Sequence, residues 1–215
     1  DSTKGWVHAE YSLLPGSTDS RFRRERRGAK GRTQEIERLV ARSLRAAVDL
    51  EELGPIALNV DCDILNADGG TRCASITAAN LALRLGVRRL IAAGVCLPKN
   101  MRPTEEQRRS GWSPPVLSEE EQMAHEMRVM EHDVAAISVG LIDGKSYLDL
   151  DYNLDSNADV DMNVVKVSNG AFVEVQGTGE ESTYQREELD ALLDMADVGF
   201  EALFEMQKTI LHGQQ

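Results

Sequence analysis

The chain has 215 residues, of which 41% are hydrophobic and 28% charged, and its formal net charge is −12. This composition excludes a disordered chain, no apolar run approaches the ~20 residues of a membrane span, and the first residues lack a signal-peptide pattern. The negative charge argues against non-specific nucleic-acid binding by the whole surface, although it is compatible with a local basic site. The three cysteines, Cys62, Cys73 and Cys96, form no CxxC pair, so we expect reduced thiols and a cytoplasmic protein.

The N-terminal part combines a strand with a strongly basic segment. Gly5–Tyr11 predicts a strand that leads to a turn at Pro15. Seven arginine and lysine residues then fall between Arg21 and Arg32, opposed only by Glu25. With two glycines and few apolar residues, this segment predicts an exposed arm. Such an arm attracts phosphodiester backbones through counterion release, and the alternative is a basic loop that is merely solvated.

The first predicted helix begins beside an arginine. Thr33–Leu50 has an apolar stripe at helical spacing, with charged residues on the other side. Arg32 stands at its start, where free backbone N–H groups and the helix dipole already favour an anion. We therefore expect one anion-binding corner here.

A glycine turn joins a predicted strand, Ile56–Ile64, to a second predicted helix at about Cys73–Ala93. Paired glycines, Gly69-Gly70, let a backbone approach a ligand, Thr71 supplies a hydroxyl and Arg72 a bidentate charge. A glycine turn before a helix is a weak signal by itself, because most such turns bind nothing. Together with Arg32, it predicts a second corner that binds a phosphate oxyanion.

The C-terminal half predicts a loop, a helix, a meander of strands and a final helix. Pro98–Pro115 is an expected loop, and a capping box at Ser118 opens a helix through about Glu131. We expect His125 and His132 to be surface or cap residues and not ligands. The remaining predicted elements are strands at Val134–Ile142, Ser146–Tyr152, Asn163–Val167 and Ala171–Gln176, and a helix from Arg186 to about Leu211.

An acidic stretch, Leu148–Asn163, contains five aspartates and almost no basic residue. Five like charges repel one another, and an unpaired buried carboxylate is costly. A solvated loop is one explanation, and composition alone favours it. The other is a hard divalent cation such as Mg²⁺, which takes oxygen ligands. A divalent cation at this stretch, together with the two arginine-containing corners and the basic arm, would suit phosphoryl transfer on a polyanion.

Several segments together resemble bacterial ribonuclease PH, and the resemblance covers almost the whole chain. It implies an α/β (α+β) fold of the ribosomal protein S5 domain 2-like type, with a mixed sheet packed by long helices. It also implies one ribonuclease PH-type domain over residues 1–215, an atypical insertion at about 98–131, and further family residues before Gly5. The segments that carry it are Gly5–Pro15, Gly31–Leu50, Val60–Thr77, Leu148–Val165 and Phe172–Glu180.

The same resemblance implies a phosphate-dependent 3′→5′ exoribonuclease, a tRNA nucleotidyltransferase that trims the 3′ ends of transfer-RNA precursors. Inorganic phosphate would be the co-substrate, nucleoside diphosphates the products and Mg²⁺ the metal, in a homo-oligomeric ring built as a trimer of dimers. It implies that Arg32, Gly70, Thr71 and Arg72 hold phosphate, that Asp155 and Asp161 carry Mg²⁺ or assist proton movement, and that Arg21 and Arg24 guide RNA.

Three positions depart from the family pattern. Gly16 stands where the family usually has an arginine, Leu154 replaces a glutamate beside Asp155, and Cys73 replaces a threonine.

A rival hypothesis from another functional class is a non-catalytic RNA-binding subunit of an exosome-like ring. Such subunits commonly lose phosphate-site or acidic residues, whereas this chain keeps them. A hydrolytic nuclease would not need two arginine-based phosphate pockets.

Overall fold

The computed structural model describes residues 3–179 and 182–213, so Glu180, the last residue of the segment Phe172–Glu180, lies outside it. Within the described residues, no helix is long and apolar enough to cross a membrane. In chain order the elements are β1 (Trp6–Leu13), α1 (Gly31–Ala46), α2 (Leu50–Leu53), β2 (Ala57–Ile64), α3 (Thr71–Ala92), a 3-10 turn (Lys99–Met101), α4 (Glu105–Arg109), α5 (Glu119–Val129), β3 (Val134–Ile142), β4 (Lys145–Leu148), α6 (Tyr152–Asp155), β5 (Val160–Val167), β6 (Phe172–Gly179) and α7 (Arg186–His212).

The strands form two sheets. β1 and β2 pair in parallel, and the other four strands form an antiparallel sheet in the order β4-β3-β5-β6. Alternate residues of β1, namely Val7, Ala9 and Tyr11, are buried in the same cluster as the apolar stripe of α1. The mixed α/β architecture predicted from the sequence is confirmed.

The antiparallel sheet separates two apolar cores. On one face, residues such as Val165 pack with α1 and α3. On the other face, Val160, Met162 and Val164 pack against α7. Because side chains alternate along a strand, Asp161 and Asn163 lie on the α3 face of β5. This register directs Asp161 toward the helix that begins with Thr71.

Some element boundaries differ from those expected. α1 begins at Gly31, so Arg32 lies inside its first turn and not before it. The expected strand Ser146–Tyr152 ends at Leu148, because Asp149 adopts a left-handed backbone conformation with φ of 55°. The expected loop Pro98–Pro115 contains α4, which a Thr-Gln capping box stabilises.

The expectation that His125 is a surface or cap residue is wrong. Its side chain is fully buried on α5, with Nε2 3.6 Å from Cys96 Sγ and Nδ1 4.0 Å from a Glu52 oxygen. Burial lowers the pKa of His125, and nearby Arg128 adds to this effect. Both α5 and Cys96 lie outside the segments that resemble ribonuclease PH. Helix α5 packs mainly against α3.

Candidate active site

The glycine turn before α3 is shaped by close packing. Gly70 is the N-cap residue with φ of +65°, a conformation that L side chains rarely adopt. A Cβ on Gly69 would lie 1.8 Å from the Leu150 carbonyl oxygen, and one on Gly70 would lie 3.2 Å from Ser138 Oγ. The glycines therefore let the turn lie directly against the loop that follows β4. The sequence predicted that the absence of side chains at Gly69 and Gly70 lets a ligand approach the backbone. In the structure, the loop after β4 occupies part of that space.

Thr71 and Arg72 occupy the first turn of α3, and residues from other elements hold both. The Thr71 hydroxyl lies 2.9 Å from the Tyr11 hydroxyl on β1. Arg72 Nη2 donates to Glu35 Oε2 on α1 at 2.9 Å. Arg72 Nε is buried and has no hydrogen-bond partner among the described residues. A buried donor without an acceptor costs about 1–3 kcal/mol, so this corner lacks an acceptor that a ligand oxygen could supply.

Two carboxylates lie at the same corner. Burial raises the pKa of the Cys73 thiol, and the charges of Asp161 and Asp149 raise it further, while Arg72 opposes them. The Cys73 thiol donates to Asn163 Oδ1 at 3.0 Å, which ties α3 to β5. Asp161, Arg72 and Asp149 therefore all lie close enough to Cys73 for their charges to act on its thiol.

Asp155 lies on α6, which a hydrogen bond from the Tyr152 backbone N–H to Asp68 ties to the glycine turn. It is the last residue of the short helix α6 and is half-buried, and its backbone N–H donates to the Asp151 carbonyl. No group of three His, Cys, Asp or Glu side chains among residues 3–179 and 182–213 is arranged to hold a metal. Mg²⁺ does not require such a cage, because it keeps several waters and binds through one or two carboxylates plus substrate phosphates. Asp155 and Asp161 offer only oxygen atoms, the type of ligand that this mode of binding uses.

Residues 14–30, which include the basic arm up to the start of α1, contain no helix and no extended strand. Between the arm, β1 and the start of α1 lies a cavity of about 470 Å³, lined by Arg24, Lys30, Arg32 and Tyr11 among others. Arg21 lines a wider hollow of about 1150 Å³ that the arm itself encloses. Since Tyr11 lines the first cavity and contacts Thr71, it joins the arm to the start of α3.

The start of each helix distinguishes α1 and α3 from the others. Both lack a capping side chain and an acidic residue in the first turn. The other five described α-helices each carry a carboxylate there. A first-turn carboxylate neutralises the positive end of a helix, so its absence leaves that end available to an anion.

Sequence reasoning found the residues at the helix starts and missed those that hold them. Tyr11, Glu35 and Asp149 all contribute to the corner, and none belonged to the expected site. The signals were indirect: Tyr11 lies on the buried face of an alternating strand, and Glu35 follows Arg32 by one helical turn. Only the packing of β1 and α1 on α3 brings them to Thr71 and Arg72.

Comparisons with known proteins agree on one family. Two family models match, the 3′ exoribonuclease family domain 1 over residues 1–86 and domain 2 over residues 132–199. The chain is 48% identical over 209 residues to ribonuclease PH of Rhodopirellula baltica, covering 97% of this chain and 75% of that protein. It is 46% identical over 213 residues to ribonuclease PH of Corynebacterium efficiens, covering 98% and 75%.

Solved structures share the fold at low sequence identity. The crystal structure of rice (Oryza sativa) Rrp46 has a TM-score of 0.64 and 12% identity, covering 96% of this chain and 73% of that one. The Archaeoglobus fulgidus exosome with RNA bound to the active site has a TM-score of 0.59 and 19% identity, covering 90% and 67%. At these identities the likeness concerns the fold alone.

Proposed function

The chain belongs to the 3′ exoribonuclease family, with ribonuclease PH proteins among its relatives, and we propose that it shortens RNA from the 3′ end by phosphorolysis. Its proposed substrates are the 3′ ends of transfer-RNA precursors. Inorganic phosphate is the proposed co-substrate, and nucleoside diphosphates are the products.

One observation carries the proposal: the buried Nε of Arg72 has no acceptor, at a helix start that lacks acidic residues and lies near Asp161. An anion at this corner would complete the hydrogen bonding of Arg72. It would also accept hydrogen bonds from the backbone N–H groups at the start of α3. Inorganic phosphate, with four oxygens, meets both needs.

In the proposed reaction, the chain binds phosphate with Arg32, Gly70, Thr71 and Arg72. A phosphate oxygen attacks the phosphorus of the last phosphodiester, and the bond from that phosphorus to the 3′ oxygen of the shortened RNA breaks. The freed 3′ oxygen takes a proton, and the terminal nucleotide leaves as a nucleoside diphosphate. Bringing the two anions together requires cationic groups near the reacting oxygens, which the arginines supply.

The carboxylates have the complementary task. Asp155 and Asp161 would hold Mg²⁺, which would stabilise negative charge on the reacting oxygens. The charges of Asp161 and Arg72 both act on Cys73 in the first turn of α3, and we assign Asp161 a second role in proton movement at the leaving oxygen. Asp155 would complete the donor set from α6.

The basic arm is the proposed path for RNA, with Arg21 and Arg24 contacting phosphodiesters. We further propose a homo-oligomeric ring, a trimer of dimers, in which the arms of several copies face one channel. Such an arrangement would let a chain with a net charge of −12 present a basic surface to RNA. The proposed compartment is the cytoplasm, since Cys62, Cys73 and Cys96 are free thiols.

The decisive experiment is degradation of a 3′-extended transfer RNA with Mg²⁺, with and without inorganic phosphate, while the released nucleotides are identified. We expect diphosphates that appear only with phosphate. Monophosphates released without phosphate would identify a hydrolase and overturn the proposal. Retained RNA binding without any product would support a non-catalytic ring subunit.

The Asp161→Asn variant tests the acidic half of the site in the same assay. We expect turnover to fall about a hundredfold or more while RNA affinity stays nearly intact, because the substitution keeps the shape and removes the charge. The Asp194→Asn variant, at an exposed position on α7, is the matched control. Unchanged turnover in Asp161→Asn would remove Asp161 from the mechanism.

A further inference from the structure

Glu35 joins three elements at the candidate site. It lies on α1, one helical turn beyond Arg32. Its Oε2 accepts the hydrogen bond from Arg72 on α3 at 2.9 Å, and its Oε1 lies 3.4 Å from the side-chain nitrogen of Gln176 on β6. An arginine has many rotamers, so an acceptor fixed on a neighbouring helix restricts where its guanidinium can lie.

The contact leaves Arg72 oriented but incompletely bonded. Its Nη2 donates to Glu35, while its Nε is buried without an acceptor among the described residues. The Arg72 side chain is 25% exposed and that of Glu35 40% exposed, so the pair borders solvent. A pair this exposed contributes little to stability, which makes a purely structural role a poor explanation for it.

We propose that Glu35 is a positioning residue that holds the guanidinium of Arg72 ready for inorganic phosphate. This inference rests on the proposed phosphorolytic function and adds a residue that acts on phosphate only through Arg72. Two like charges repel, so the carboxylate charge itself does not attract phosphate. The feature of Glu35 that the site uses is a fixed hydrogen-bond acceptor, which a neutral amide oxygen can replace.

Two substitutions separate the acceptor from the charge. Glu35→Ala removes the acceptor, and we expect the KM for phosphate to rise about tenfold because Arg72 loses its fixed orientation. The KM for RNA and the kcat at saturating phosphate should change by less than about twofold, since the arm and the carboxylates are untouched. Glu35→Gln keeps an acceptor oxygen and should restore most of the lost phosphate affinity.

A matched control exists between the same two elements. Glu174 on β6 pairs with Arg42 on α1 at 3.0 Å, away from Arg72. Glu174→Ala should leave all three kinetic constants unchanged. A rise in its KM for phosphate equal to that of Glu35→Ala would mean that any link between α1 and β6 has this effect, and would overturn the inference.

The double variant tests whether Glu35 acts through Arg72. In an Arg72→Ala background, Glu35→Ala should cause no further loss of phosphate use, because the residue that it positions is gone. A further loss of about tenfold, or a Glu35→Gln variant as impaired as Glu35→Ala, would contradict the proposal. Circular dichroism and unfolding midpoints of each variant show whether it is folded.

The outcomes also separate this inference from the proposed function. If the unmodified chain releases monophosphates without phosphate, the proposed function itself fails. If the unmodified chain requires phosphate and Glu35→Ala keeps the same KM for phosphate, only the role of Glu35 fails.

Discussion

Two arginines on the same helix, α3, show how a structural cation differs from the cation proposed to bind phosphate. Arg84 is 5% exposed and uses all three of its nitrogens. Its Nε donates to Asp133 at 2.8 Å, Nη1 to Glu126 at 3.0 Å and Nη2 to the Met130 carbonyl at 2.9 Å. Arg72 donates to Glu35 through Nη2, and its buried Nε has no acceptor among the described residues. Every nitrogen of Arg84 has an acceptor within the chain, whereas Arg72 leaves its Nε without one.

The difference follows from where each residue lies. Arg84 faces the junction of α3, α5 and β3, where Arg88 also donates to Glu126 at 2.8 Å. Burying charges at such a junction requires that every hydrogen bond be made, because an unpaired buried charge is costly. Arg72 lies at the helix start and borders solvent, so it can keep an unused donor for a ligand. Removing each arginine should therefore damage a different property of the protein.

The largest expected effect is on stability, in Arg84→Ala. Truncation leaves Asp133 without its cation and Glu126 with Arg88 alone, and breaking a buried pair in this way costs about 3–5 kcal/mol. Denaturant unfolding, followed by circular dichroism, measures the loss. Arg186→Ala, which breaks an exposed pair on α7 whose arginine side chain is 77% exposed, is the control and should leave the unfolding midpoint unchanged. A loss of stability no larger than that of the control would show that Arg84 is dispensable for the fold, and the contrast with Arg72 would then not hold.

The next effect concerns phosphate, in Arg72→Ala. We expect the catalytic efficiency toward phosphate to fall about 10²–10³-fold, the usual cost of removing one donor to a reacting anion. RNA binding and the unfolding midpoint should stay close to those of the unmodified chain, because the pair with Glu35 is partly exposed. Phosphate titrations of turnover and RNA-binding titrations measure the two properties. Arg89→Ala, exposed near the end of the same helix, is the control.

Equal losses of phosphate use and RNA binding in Arg72→Ala would contradict its place in the phosphate pocket. A large drop in stability would instead place Arg72 with Arg84 as a structural residue. The comparison between the two arginines thus depends on which property each substitution changes.

Local sequence patterns predicted the helix starts and the strands, because caps, glycine turns and hydrophobic periodicity act over a few residues. They placed Arg32, Thr71 and Arg72 correctly at the starts of α1 and α3. They missed Glu35 and Tyr11, whose roles depend on contacts between residues distant in the chain. The distances in sequence are 37 residues for the Arg72 contact and 60 for the Thr71 contact.

The same limit explains the error at His125. Its helix was predicted correctly from the capping box, but its burial depends on Cys96 and on Glu52 of α2. Asp149 illustrates a second limit. The alternation after Leu148 predicted a longer strand, whereas the backbone turns at Asp149 to pass the glycine turn before α3. Neither constraint is local.

The smallest effect is expected in Tyr11→Phe, which tests whether a neutral partner also prepares the site. Tyr11 is 5% exposed, and its ring packs in the core while its hydroxyl lies 2.9 Å from Thr71 Oγ1. If Tyr11 donates this bond, the Thr71 hydrogen is free to donate to phosphate. Loss of one neutral hydrogen bond costs about 1 kcal/mol, so the KM for phosphate should rise about fivefold.

The control is Tyr147→Phe, at a half-buried tyrosine on β4, away from Thr71 and Arg72. It should change neither the KM for phosphate nor the unfolding midpoint. If Tyr11→Phe lowers the unfolding midpoint and leaves the KM for phosphate unchanged, its hydroxyl serves the fold, as Arg84 does. If the KM for phosphate rises alone, Tyr11 belongs with Arg72, and the site is prepared by a neutral partner on β1 as well as by a charged one on α1.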